Sequence, residues 1–281
     1  MTITINGDNI NYTLEEEKTA GDIFNGLSLW LENSGMLIGR LEINSEYRPL
    51  DNQDWKNILI ENIENLSVEA LSFRAGRIRQ LETARDYFIL LETAVRNNDR
   101  ESLKELQDGF NDLKKILPHL LEEGPHPSIL PHLEETLGRG FPDPDEATAM
   151  EAVRMTAILE SRRKEAADPE TEALSAATAL AEMADNLDHV AVQLQTGQDK
   201  TAMETIIRLA ELLQTFMRAL GWTEGGSEIE RITNNMNEIL SELEEALKAG
   251  DTVLIGDLLE YEIKPRLIEL PSGLNFSGEI L

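Results

Sequence analysis

Leu66-Ser-Val-Glu-Ala-Leu-Ser-Phe-Arg-Ala-Gly-Arg-Ile-Arg-Gln-Leu81 changes its hydrophobic period part-way along. Leu66, Val68 and Ala70 alternate with Ser67 and Glu69, the two-residue repeat of a strand with one buried face. From about Arg77 the repeat lengthens: Ile78 and Leu81 begin a stripe that Phe88, Leu91 and Val95 continue, as on an amphipathic helix. The chain therefore divides near residue 72 into a strand-rich N-terminal part and a helical remainder.

Upstream of the break, residues 2–6 alternate with Ile3 and Ile5 on one side, Gly7-Asp8-Asn9 has turn chemistry, and Ile10, Tyr12 and Leu14 alternate again, which predicts a hairpin. Thr19 is placed to cap a helix whose apolar positions are Ile23, Phe24, Leu27, Trp30 and Leu31, ending near Ser34-Gly35. A third strand over residues 36–43, a turn-rich stretch over 44–54, a short apolar run over 55–60 and a last strand over 66–71 complete the order ββαβ(β)β. One helix across a mixed sheet buries the apolar side of every strand, so the expected fold is α+β, a β-grasp domain.

Gly39-Arg-Leu-Glu-Ile-Asn, Arg48-Pro-Leu-Asp-Asn, Trp55-Lys-Asn-Ile-Leu-Ile and Leu66-Ser-Val-Glu-Ala-Leu resemble the second half of ubiquitin-like domains. That resemblance covers the first quarter of the chain and implies a docking module whose exposed sheet face binds another protein. It does not imply conjugation, because Ser72-Phe-Arg-Ala-Gly76 runs into a helix where ubiquitin-like modifiers carry a free Gly-Gly tail.

Downstream, Asn97-Asn98-Asp99 interrupts the first helical stripe before Leu103, Leu106, Phe110, Leu113 and Leu117 resume it, Gly197-Gln-Asp199 breaks residues 190–217, and Gly250-Asp251 breaks residues 239–267. In each break a Gly or Asn suits a left-handed stop and a following Asp, Thr or Ser suits a cap, so antiparallel helical hairpins forming one or two bundles are expected. Their unequal spacing argues against a regular solenoid. The predicted division is a β-grasp domain at 1–72, a first helical hairpin at 73–122, a Pro/Gly/His-rich connection at 123–143 with a short helix near residues 133–138, a helical bundle at 144–270 and a C-terminal tail at 271–281.

The 281 residues include 53 Asp and Glu against 25 Lys and Arg, a net charge of −28. Such a surface repels a phosphate backbone or an anionic membrane and favours a basic protein partner; a homo-oligomer stays open. With no cysteine, disulfides, thiolate nucleophiles and Cys-ligated metals are excluded. Met1-Thr-Ile-Thr-Ile-Asn has neither a basic start nor a continuous apolar run, and no segment has the length of a membrane span, so a cytoplasmic, bacterial-type protein is expected.

His119, His126 and His132, with Glu122, Glu123, Glu134 and Glu135, are the candidate metal ligands, but prolines separate them and no i, i+3 or i, i+4 pairing links the histidines. His189, read as lying on a helix, lacks the flanking Lys or the basic residue and Pro that follow a phosphoaccepting histidine. Glu242, Glu244, Glu245, Asp257, Glu260 and Glu262 could supply paired carboxylates, yet on amphipathic helices such charges form the solvated face. No phosphate-cradling glycine loop or nucleophile elbow occurs, and no cofactor is implied.

Tyr261 is the candidate interaction residue. It lies in Ala249-Gly-Asp-Thr-Val-Leu-Ile-Gly-Asp-Leu-Leu-Glu-Tyr-Glu-Ile-Lys-Pro-Arg-Leu267, which resembles a stretch in uncharacterised helical proteins of motile Firmicutes, some of them associated with flagellar gene neighbourhoods. The expectation is a non-catalytic adaptor or scaffold that binds protein partners through the sheet face and helical grooves. A chaperone for an exported or flagellar subunit and a metal-binding or phosphoacceptor sensor are the alternatives.

Overall fold

The computed structural model describes residues 1–14, 16–50, 52–121, 146–223, 227–274 and 276, with the backbone alone at 227–230. The chain divides into two compact units, Met1–Glu160 and Ser161–Leu281.

In the first unit, β1 (Thr2–Ile5) reverses at Asn6-Gly7 into β2 (Asp8–Asn9), a two-residue strand that ends before Ile10, Tyr12 and Leu14, whose alternation predicts the second strand. Both turn residues have positive φ, 52° and 88°, as a tight two-residue hairpin requires and as Asn-Gly tolerates. The Asn6 side chain then copies a peptide group: its Nδ2 donates to the Ala70 carbonyl at 3.2 Å and its Oδ1 accepts from the Ala70 N–H at 2.8 Å. β1 is thereby stitched one step further along β5 (Asn65–Ser72), with which it pairs in parallel.

α1 (Ala20–Glu32) begins with a reciprocal capping box: Thr19 Oγ1 accepts from the Asp22 N–H, and the Asp22 carboxylate accepts from the N–H groups of Thr19 and Lys18. Those bonds hold the Asp22 carboxyl below its ordinary value of 3.8, the Lys18 N–H contributing most. β3 (Met36–Ile43) turns at Asn44-Ser45, again both at positive φ, into β4 (Glu46–Arg48). The sheet order is β2-β1-β5-β3-β4, with β1 and β5 parallel and the other pairs antiparallel.

Ile23, Leu27 and Leu31, spaced four residues apart on α1, meet Ile3, Leu41, Leu66 and Val68 from the sheet in one core. Each of these fully buried side chains stabilises the domain by roughly 2 kcal/mol. This is a small α+β domain, a mixed five-stranded sheet crossed by one helix, an arrangement compatible with a β-grasp. Two details differ from expectation. The fourth strand lies in the stretch read as turn-rich, while Asp54–Asn57 forms a 3-10 turn that buries Trp55 against Phe24, its indole N–H donating to the Pro49 carbonyl at 2.9 Å. Trp30, expected to pack, is 55% exposed.

α2 (Phe73–Arg96) follows β5 directly, Ser72 Oγ capping it by accepting from the Ala75 N–H. Its first turns lie close on the sheet: a β-carbon on Gly76 would come within 3.0 Å of Leu37. Asn98, at φ 52°, and the capping Asp99 reverse the chain into α3 (Arg100–Leu121). The Tyr87 hydroxyl donates to the Leu106 carbonyl at 2.7 Å, and burial pushes its pKa up. α3 continues through Pro118, and Leu117, Leu120 and Leu121 bury its last turn. Phe88, Leu91, Phe110 and Leu117 share a core with Met155 and Leu159 of α4 (Glu146–Ala167), within which the division between the units falls.

The second unit contains α5 (Pro169–Met183), a 3-10 segment (Ala184–His189), α6 (Val190–Gln195), α7 (Asp199–Gly221), α8 (Ser227–Ala249), α9 (Thr252–Asp257), a π-helical segment (Leu258–Ile263) and α10 (Lys264–Gly273). Leu180, Leu213, Phe216, Leu259, Ile263 and Leu267 form its core, against which Leu274 and Phe276 pack. Near the end of α4, the Glu165 side chain is 1% exposed and receives Arg218 through Nε at 2.7 Å and Nη2 at 3.0 Å, with Arg162 Nη1 at 3.2 Å. A carboxylate this deep is tolerable only because two guanidiniums answer it. The expected short helix near residues 133–138 lies outside the described residues.

Candidate functional site

α8 turns Asn235, Glu238, Ile239 and Glu242 to one side, the i, i+3, i+4, i+7 spacing of a single helical face. Asp257, Leu258, Tyr261 and Glu262 face them from the end of α9 and the π-helical segment, enclosing an open groove of about 560 Å³. The π turn widens the backbone spiral, a feature that recurs at functional positions because it redirects side chains. Here Leu258, Leu259 and Ile263 stay buried while Tyr261 is 64% exposed.

The groove has an apolar floor, Ile239 and Leu258, under a rim of four carboxylates and one guanidinium. That guanidinium, on Arg266, is engaged by Glu262 at 2.8 Å and by Asn235 at 2.7 Å. Glu238, Glu242 and Asp257 have no ion pair among the described residues, whereas Glu244 on the same helix bonds Lys248 at 2.6 Å. The Tyr261 hydroxyl bonds Glu260, which together with Asp257 raises its pKa above 10.0 by disfavouring phenolate. Of the carboxylates singled out in the sequence, the fold thus brings Glu242, Asp257 and Glu262 around one groove, while Glu244 pairs with Lys248 and Glu260 bonds the Tyr261 hydroxyl.

The outer face of the N-terminal sheet is the other expected surface. Arg40 pairs with Glu42 at 2.8 Å and stands 5.4 Å from the ring centre of Tyr47, and Arg79 of α2 pairs with Glu69 at 3.0 Å. Tyr47 is 56% exposed, and the face is otherwise mostly polar.

Residues 1–72 match the family model of the TP0873 N-terminal domain. Residues 173–272, which include the whole groove, match that of a domain of unknown function, DUF8042. No curated protein and no solved structure matches the chain.

His119 is exposed in the last turn of α3; His126 and His132 fall outside the described residues. His189 is exposed at the end of a 3-10 turn, a position corrected from the helix expected there, since α6 starts only at Val190. Among the described residues no three His, Asp or Glu side chains come together closely enough to hold a metal ion, and no helix is long and apolar enough to cross a membrane. The groove-lining face of α8 was missed at the sequence level, although the spacing of Asn235, Glu238, Ile239 and Glu242 was available as a signal.

Proposed function

We propose that the protein is a non-catalytic adaptor or scaffold that holds protein partners, using the groove beside Tyr261 and the outer face of the N-terminal sheet. The observation that carries this reading is the groove: an exposed aromatic side chain beside an apolar floor and inside a charged rim has the anatomy of an interaction hot spot. The likeness of residues 1–72 to ubiquitin-like domains supports a second docking face. The direct passage of β5 into α2 suits a module fixed on a helical body better than a conjugated modifier.

The net charge of −28 favours partners with basic surfaces and opposes nucleic acid and anionic membranes, and a cytoplasmic setting fits this use. Immobilised full-length protein, exposed to native lysate at low salt, is expected to retain a discrete set of proteins. The double variant Tyr261→Ala with Glu242→Gln should lose at least one of them. Identical retention by the variant and the parent protein would remove the groove from the account, and retention of nothing by either would overturn the adaptor reading.

A further inference from the structure

The chemistry of the groove narrows its occupant. A second copy of this chain, at −28, would meet like charge there, and so would a phosphate-bearing ligand. A single metal ion needs several converging ligands, and among the described residues no three carboxylates converge. The carboxylates that lack a cation instead lie along the groove: Glu238 and Glu242 one helical turn apart on α8, about 6 Å between β-carbons, and Asp257 across from them.

We infer that the groove receives an arginine-bearing segment of a partner protein, with two basic side chains spaced to meet Glu238 and Glu242 and one guanidinium stacked on Tyr261. The inference rests on the adaptor reading and deepens it. Two observations besides the charge support it. The apolar floor of Ile239 and Leu258 suits the aliphatic stem of an arginine or lysine. The exposed Tyr261 ring offers a face on which planar guanidinium stacks better than ammonium. The groove's own guanidinium, Arg266, is already bonded to Glu262 and Asn235, so it leaves Glu238, Glu242 and Asp257 for the incoming segment.

The test uses the full chain and fluorescent synthetic peptides of one apolar scaffold carrying two Arg, two Lys or two Gln at i and i+4, read by anisotropy. The Arg peptide is expected to bind at low salt, the Lys peptide about 2- to 5-fold more weakly, and the Gln peptide at least 10-fold more weakly. The double variant Glu238→Gln with Glu242→Gln should weaken the Arg peptide about 10-fold, and Tyr261→Ala about 3-fold, while Tyr261→Phe binds as the parent does.

Glu101→Gln with Asp112→Asn removes the same charge from α3 and should change binding less than 2-fold. Equal effects of the α3 and α8 double variants would overturn the inference, since diffuse attraction would then explain the binding. Failure of the Arg peptide to bind, with groove-dependent retention of proteins from lysate intact, would overturn this inference and leave the adaptor reading standing. Loss of both would remove both.

Discussion

On the outer face of the N-terminal sheet, Arg40 meets Glu42 and Arg79 meets Glu69, whereas in the Tyr261 groove Glu238, Glu242 and Asp257 meet no cation among the described residues. The two regions teach different things about the same overall charge. A paired surface charge contributes at most about 1 kcal/mol to stability and offers a partner little that is not already used. Carboxylates crowded without cations slightly oppose folding and leave their attraction for something else. The second unit also contains the opposite extreme in Glu165, a buried carboxylate answered by Arg218 and Arg162.

The largest effect expected from breaking this contrast is at Glu165. Glu165→Ala leaves two largely buried guanidiniums facing each other and should cost about 3–5 kcal/mol in denaturant unfolding. Glu242→Gln, by contrast, should stay within about 0.5 kcal/mol of the parent or stabilise it. Equal losses in the two variants would show that the groove carboxylates are structural after all.

In the sheet domain, Asn6→Ala removes both side-chain bonds to Ala70 and puts a residue poorly suited to φ 52° into the turn. It should cost about 1–3 kcal/mol by the same measurement. A change below 0.3 kcal/mol would mean that the β1–β5 pairing does not depend on that amide, a threshold set at roughly the error of such comparisons.

A smaller, pH-dependent effect belongs to Asp22. Its folded pKa is lowered, so its contribution is complete above the ordinary value of 3.8 and is lost as pH falls below 3.8 through the folded pKa. The stability gap between the parent and Asp22→Asn should therefore shrink on acidification across that window, and a gap that widens there would contradict the capping box. The smallest effect is spectroscopic. Glu260→Gln should move the Tyr261 titration, followed by ultraviolet absorbance, down toward 10.0, and no movement would show that the hydroxyl is not held by that carboxylate.

Much of this was legible before the fold was known, for reasons that differ by residue. Leu66, Val68 and Ala70 announce a half-buried strand because alternation has one structural meaning over that length. Thr19 ahead of a helical apolar run announces a helix start because its hydroxyl can satisfy one of the free N–H groups there, whereas the reciprocal bond from Asp22 emerged only in the structure. Tyr261 was noticeable as an aromatic on an acidic helix, but the π turn that presents it was not, since one extra residue per turn leaves no compositional mark. Glu165 was illegible: Arg162-Arg163-Lys164-Glu165 reads as a solvated charge run, and its burial depends on Arg218, 53 residues away. The fourth strand was misplaced because Glu46–Arg48 is too short and polar to carry a period, its register being imposed by the Asn44-Ser45 turn.

The central claim is that unanswered carboxylates around an exposed aromatic form a docking groove, and photo-crosslinking from two positions of the full chain tests it most directly. A benzophenone amino acid replaces Tyr261 in one protein and Tyr47 in the other, and adducts formed in native lysate are compared at low and high salt. The account predicts a discrete adduct from position 261 that fades at high salt and is lost when Glu238 and Glu242 are both changed to Gln. Absence of a discrete adduct at position 261, or one indifferent to salt and to both glutamates, would contradict it.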